Sequence, residues 1–432
     1  MNSRTEALRS DSIAQSLCAG SVSEAFAPAT PERQMTKLPA AARIVLEMLD
    51  GITTGQIQMT LPDGGLHHCG TSNTGPVVDM VVHEWSVFGD IVGRGDIGAA
   101  EAFIDGLWGT ESLSELLTLI AGNRDAMEKA IHGRRWQLLS SWLLHRFRAN
   151  TRRGSKRNIM AHYDLGNDFY QLWLDETMTY SSALFQEHEH PDQADWVALP
   201  AAQRAKNDRM LDTLNIKAGD RVLEVGCGWG GFAEQATARG AHVTGLTLSP
   251  AQQAFAQARA KQGGWSAQSD FLLTDYRDIQ GQFDHIVSVE MFEAVGERWW
   301  PTYFRTLKRL LKPGGRALIQ VITIDDAHFR QYRRGTDFIQ RHVFPGGMLP
   351  SPSIFCGQAQ HAGFAVTDDL AFGLHYARTL GLWHEAFRER LLEVKAQGFD
   401  DRFLRLWRFY LAYCEAGFRA GSIDVHQYTL QS

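Results

Sequence analysis

Cysteine is scarce in this chain. Cys18, Cys69, Cys227, Cys356 and Cys414 are odd in number, scattered over 432 residues and never spaced as C-x-x-C. Neither a disulfide framework nor a zinc site is indicated, and a reducing cytosol suits such usage. The sixteen histidines form no H-x-x-x-H pattern, so no metal is expected. No stretch approaches 18 uninterrupted apolar residues, which excludes a membrane-spanning helix. Arg4, Glu6, Arg9 and Asp11 stand where a signal peptide needs an apolar run. An excess of basic charge is also missing. The formal net charge is −6, which gives no global signal for nucleic acid.

What is present is globular: 44% hydrophobic and 21% charged residues in a chain long enough for two domains. Residues 1–35 are rich in Ser, Ala and Thr, with Pro28 and Pro31, and read as a disordered N-terminal segment. Residues 36–133 read as a small α+β domain. It has a helical pattern from Ala41 to Leu49, a hairpin around Asp63-Gly64-Gly65, and strand-like residues through VVDMVVHEWSVFGDIV. A helix-turn-helix with a capping region at Thr110-Glu111-Ser112 closes it. Residues 134–157 carry seven arginines, one lysine and no acid, with Trp136, Leu139, Trp142, Leu143 and Phe147 at helical spacing. Such a segment is either a basic amphipathic helix for an anionic membrane surface or an interdomain helix and linker. Residues 158–185 are dense in aromatics, from His162-Tyr163-Asp164 to Tyr180-Ser181-Ser182, as a helical lid would be.

From Asp220 onward short strands alternate with helices, at 222–225, 242–248, 270–273, 285–289 and 317–323. Lys312-Pro313-Gly314-Gly315 reads as a turn before the fifth strand. The pattern predicts an α/β fold with a parallel, doubly wound sheet and a ligand at the strands' carboxyl ends. The centre of the chain is Arg221–Phe232, RVLEVGCGWGGF: a buried strand that breaks at Gly226, Gly228 and Gly230 and enters a helix. Glycines there let the backbone turn sharply and a ligand approach it closely. No phosphate-binding Lys or Ser/Thr follows. With Glu224 two residues before the first glycine, the stretch resembles the first motif of class I S-adenosylmethionine (SAM) methyltransferases. An acid is also missing at the end of the second strand, where many such folds hold a ribose diol. Thr247 and Gln252, flanking Leu248 and Ser249, offer hydrogen bonds instead. Tyr276 and Arg277, in Asp275-Tyr276-Arg277-Asp278 after the third strand, fall where adenine is usually met. Glu290 and Glu293 lie just past the fourth.

The motifs HYDLGNDFY, YSSA, VLEVGCGWGGFA, GLTLSPAQQ, DYRD, FDHIVSVEMFEAVG, FPGGMLPS and HYARTLGLW, with the ending YLAYCEAGFRAGSIDVHQYTLQ, run in order over residues 158–430. Together they resemble the cyclopropane-fatty-acyl-phospholipid synthases and the mycolic acid methyltransferases. That resemblance implies a Rossmann-like methyltransferase domain over residues 158–432, with lid and acyl-chain pocket. It implies a SAM site that includes Tyr180, Ser181, Glu224, Gly226, Gly228, Gly230, Thr247, Leu248, Gln252, Tyr276 and Arg277. The implied reaction is transfer of the SAM methyl carbon to a double bond in an unsaturated phospholipid acyl chain. The implied setting is the cytoplasmic face of a membrane, and a homodimer is favoured.

An alkene is a poor nucleophile, and its methylation leaves a carbocation. A dry pocket with aromatic faces and a nearby anion suits that cation. A base must then remove a proton. The resemblance implies bicarbonate as that base, held by residues that fall here on Glu293, Tyr376, Ile322, Ser182 and Gln320. Ser182 replaces a cysteine of the family and Gln320 a histidine. Gln320 donates a hydrogen bond but carries no charge, so anion holding is weakened. The expectation is therefore a cyclopropane synthase. The alternative is a methyl-branched or methylene product without ring closure. Cys414 matches a family cysteine, but a thiol in an aromatic-rich helix reads as packing.

Overall fold

The computed structural model describes residues 38–70, 74–124, 165–185 and 190–432. The N-terminal segment 1–35, the basic stretch 134–157 and His162-Tyr163-Asp164 lie outside the described residues. The described part from Pro39 to Ser432 is one compact unit.

The first elements build a small mixed sheet. Helix Ala40–Asp50 leads into β1 (Gln56–Thr60), β2 (Leu66–Cys69) and β3 (Val77–Val82), with a short β4 (Trp108–Gly109), in the order β2-β1-β3-β4. The hairpin turn at Asp63 is as expected: β1 and β2 pair antiparallel, Ile57 opposite Cys69. The strand reading of 77–92 holds only as far as Val82. From Ser86 the chain is helical up to Ile104, with a kink at Gly95, whose φ is 60°. Val87 and Phe88 are fully buried on that helix. An apolar run of this length does not by itself separate a buried helix from a strand. This layer packs on helix Asp401–Arg419, where Phe103 meets Phe409 at 5.5 Å between ring centroids.

The main sheet has seven strands. β5 (Arg221–Val225), β6 (His242–Thr247), β7 (Ser269–Leu273), β8 (Phe283–Val289) and β9 (Leu311–Ile324) run parallel. β10 (Ala365–Ala371) and β11 (Ile423–Gln431) close one edge antiparallel, giving the order β10-β11-β9-β8-β5-β6-β7. The order reverses between β5 and β8, and a ligand is expected at the strand ends there. Lys312–Gly315 is no separate turn. It lies within β9 as an irregularity, with Gly314 at φ 77° and the β8–β9 register shifting between Phe283 and His285. One face of the sheet buries Leu223, Ile286, Tyr303, Phe304 and Phe355; the other buries Met210, Leu211, Phe232 and Val243. Covering both faces makes the central strands nearly continuous apolar runs. Among the described residues no helix is long and apolar enough to cross a membrane.

Candidate active site

The glycine turn is the floor of the site. Gly226 and Gly228 adopt φ 88° and 50°, and a Cβ on Gly226 would come 3.1 Å from Met291. Only glycine takes such conformations without strain. The turn is pinned to β6, because the Gly226 and Cys227 amides both donate to the Leu246 carbonyl, at 3.0 and 2.8 Å. It leads into helix Gly231–Ala238. The cavity above it is lined by Tyr180, Ser181, Glu224, Gly226, Gly228, Thr247, Leu248, Gln252, Tyr276, Arg277 and Glu290. Gly230 turns away from it, capping the helix at φ 83° with its Cβ direction toward Ala256.

Each polar wall of this cavity has a defined holder. The Thr247 hydroxyl donates to Gln252 Oε1 at 2.8 Å and accepts from the Ser249 amide, which fixes the Gln252 amide group beside the cavity. Arg277 is locked onto Asp275 through Nε at 2.7 Å, with its guanidinium over Tyr276 and Trp299. Glu224 is buried, and its Oε2 has no hydrogen-bond partner. Burial pushes its carboxyl well up, against the opposing pull of Lys206 and Arg259. A carboxylate oxygen left open at a glycine turn fits the ammonium of an amino-acid moiety such as SAM carries. Lys206 was not marked by the sequence, where it sits in an ordinary amphipathic helix. It is 1% exposed, lines the cavity and donates to Ser181 Oγ at 2.7 Å and Gln203 Oε1 at 2.9 Å. Burial brings its ammonium down to about 8, and Glu290, Asp175 and Glu224 oppose that fall.

The residues expected to share one anion site divide into two groups. Ser182, Gln320 and Tyr376 converge on Glu290, not on Glu293. The Ser182 amide and Gln320 Nε2 donate to Glu290 Oε1 at 2.9 and 2.8 Å, and Tyr376 Oη donates to Oε2 at 2.5 Å. Glu293 instead accepts from the Ile322 amide at 2.6 Å, and its Oε2 is buried without a partner. Burial raises both carboxyls. Glu290 is drawn back by Tyr376, Ser182, Gln320 and Lys206, whereas Glu293, with Glu290 as a negative neighbour, rises to about 8. The three donors on Glu290 favour ionisation there over Glu293, whose carboxyl has one amide partner. The residues as placed do not fit a bicarbonate. Its donors already hold a carboxylate, and a second anion there would meet like charge. Cys414 lies in helix Asp401–Arg419, outside the cavity lining, and burial raises its thiol.

Aromatic rings wall the side of the cavity that Tyr180 lines. Tyr180 stands 5.7 Å from Trp173 and 5.4 Å from Trp383 between centroids, and its hydroxyl meets that of Tyr410 at 2.5 Å. Asn167 in helix Asn167–Gln171 accepts from Trp229 Nε1 at 2.8 Å, tying this layer to the glycine turn.

Sheet order and glycine turn together define a class I SAM-dependent methyltransferase. The solved structure of mycolic acid cyclopropane synthase CmaA1, complexed with SAH and CTAB, matches with TM-score 0.59 at 33% identity. The match covers 64% of this chain and 98% of that one. The family model described as mycolic acid cyclopropane synthetase matches residues 150–428, and the chain belongs to that family. It is 42% identical over 357 residues to the tuberculostearic acid methyltransferase of Mycobacterium tuberculosis, covering 81% of this chain and 82% of the relative. A probable fatty acid methyltransferase of Pseudomonas putida is 40% identical over 65% of this chain and 70% of its own. The cyclopropane-fatty-acyl-phospholipid synthase of Escherichia coli K12 is 33% identical over 81% of this chain and 86% of its own. The chain is thus a SAM-dependent enzyme of lipid modification.

Proposed function

We propose that this enzyme transfers the SAM methyl carbon to the double bond of an unsaturated fatty acyl chain and releases a branched, unsaturated product without closing a ring. The observation that carries the reading is the Glu290 carboxyl, held by three hydrogen-bond donors at the edge of the cavity that Tyr180 also lines. When bound, SAM supplies an electrophilic methyl carbon: the alkene π pair forms the new C–C bond as the S–C bond breaks, and a cation is left on the other alkene carbon. The residues then act on that cation. Glu290 places negative charge near it, Tyr180 and Trp229 offer ring faces, and the buried lid layer excludes water that would trap it as an alcohol. A hydride shift followed by loss of a proton from the new methyl group gives a methylene-branched chain. A saturated branch would need a further reductant and is not part of the proposal.

The branch is favoured over the ring because the relatives at 42% and 40% identity carry methyltransferase names, while the synthase is at 33%. The ring remains the second reading, supported by the family's own description. Ring and branched alkene are isomers, each one CH2 heavier than the substrate. Proton NMR of lipids from an expressing host separates them. Vinylic or vinylidene signals without cyclopropane signals are expected; cyclopropane signals would reverse the choice. A membrane-bound substrate gives the basic stretch 134–157 a use at an anionic surface. Vesicle binding that weakens with salt is expected, and salt-independent binding would refute it.

A further inference from the structure

We infer that Glu290 is the enzyme's own general base, a side-chain carboxylate fixed where it takes the proton lost after methyl transfer, so that turnover needs no dissolved anion. The inference rests on the reading above that an olefin is methylated at this site, and three independent observations carry it.

The first is position. Glu290 follows β8 directly, its amide bonds the Gln320 carbonyl at 2.9 Å, and its side chain borders the cavity beside the Gly226 turn. Glu293, three residues on, does not line that cavity.

The second is the shell of donors. Oε1 accepts two hydrogen bonds and Oε2 one, from groups on three separate elements: the Ser182 amide, Gln320 of β9 and Tyr376 of helix Gly373–Glu389. Ser182 and Gln320 are fully buried and Tyr376 is 6% exposed, so the shell is rigid. A carboxylate offers about four lone-pair sites. With three filled, Oε2 keeps one for a proton from the substrate. Gln320 is itself oriented, because its Oε1 accepts from Gln427 Nε2 at 3.0 Å. A neutral amide is the better donor here, since a cation in its place would lower the basicity of the carboxylate.

The third is backbone cost. Glu290 sits at φ 48°, one of three non-glycine residues with positive φ among those described. A left-handed conformation costs a residue with a Cβ about 1–2 kcal/mol, and glycine would avoid it. A strained glutamate held by three buried donors is the arrangement expected when the carboxylate has a task.

The step balances. A C–H bond of the new methyl group breaks and the proton goes to Glu290: after the hydride shift its electron pair forms the methylidene C=C to the methyl-bearing cation, and without the shift it forms the third ring bond. The sulfonium has already left as the neutral thioether. The group therefore acts on the carbon delivered by SAM, whichever isomer results.

The test uses the full-length purified protein with SAM and dioleoyl phosphatidylglycerol vesicles in carbonate-free buffer, reading release of S-adenosylhomocysteine. The wild type is expected to turn over there at a rate that added bicarbonate leaves unchanged. Glu290→Gln and Glu290→Gly are expected to keep SAM affinity within about threefold and to lose turnover by roughly 100-fold or more, the range for a missing general base. Glu290→Gly relieves the backbone strain, which offsets part of the loss of three buried hydrogen bonds, and a urea melt checks that the variant is folded under the assay conditions. Its cradle of Ser182, Gln320 and Tyr376 is then open, and formate or bicarbonate restores its rate at least about tenfold, a fraction of the loss a positioned base makes good. Several results overturn the inference: variants that turn over within threefold of the parent, variants that lose SAM affinity in step with rate, no rescue of the glycine variant, or a wild type that stops without bicarbonate. A wild type that releases no S-adenosylhomocysteine with any unsaturated lipid refutes instead the function proposed above, and this inference with it.

Discussion

Two buried acids decide how the site behaves, and they differ in one hydrogen-bond shell. Burial, with the repulsion of Glu290 added, raises the Glu293 carboxyl to about 8, and the Ile322 amide opposes that rise. The folded value of Glu293 lies above the unfolded value of about 4.3. Between those limits the folded protein binds a proton that the unfolded chain does not. Its contribution to stability is full below about pH 4 and falls as pH rises toward 8. Glu293→Gln is expected to flatten the fall in denaturant midpoint between pH 5 and 8, and an unchanged slope would show that Glu293 does not carry it. Glu224 makes a separate prediction. Its open Oε2 is the acceptor we propose for a SAM ammonium, and a lost hydrogen bond to a charged group costs about 1.5–3 kcal/mol. Glu224→Gln should weaken SAM binding roughly 10- to 100-fold by calorimetry, and unchanged affinity would remove Glu224 from the site.

At the level of elements, the glycine turn couples β5 to β6 through Leu246, and a Cβ on Gly226 would crowd Met291 at 3.1 Å. Gly226→Ala is expected to destabilise the fold by about 1–2 kcal/mol in a urea melt, from the left-handed backbone alone. A neutral result would mean that the turn can reorganise. This turn was legible in the sequence because its glycines and the apolar run before them obey local rules. So were the parallel strands, each a short apolar segment between helices, and the β1–β2 hairpin with Asp63-Gly64. The helix from Ser86 was not, because the non-helical Gly95 interrupts its period and the short apolar run before it fits a strand equally well. The β9 irregularity at Gly314 was not, because a KPGG sequence fits a turn and a bulge equally well. In the site, Glu224, Thr247 and Gln252 could be marked from spacing. The exchange of roles between Glu290 and Glu293 could not, since it depends on donors from Ser182 and Tyr376, 108 and 86 residues away from Glu290. Lys206 escaped for the same reason: its ammonium donates to Ser181, 25 residues away, and the acids that act on it, Glu290, Asp175 and Glu224, belong to other elements.

For the whole molecule, the small sheet and the methyltransferase sheet share helix Asp401–Arg419, through the Phe103–Phe409 contact on one side and Tyr410 with Tyr180 on the other. The described fold is one unit, and the two sheets are expected to unfold together in a single calorimetric transition. Two resolved transitions would contradict that coupling. What joins fold to function is the fate of one carbon. SAM carrying a CD3 group should therefore be incubated with the enzyme and an unsaturated phospholipid, and the acyl chains read by mass spectrometry. Chains carrying the added carbon with two of its three deuterons are predicted, the third having left through Glu290; acyl chains without label would contradict the account.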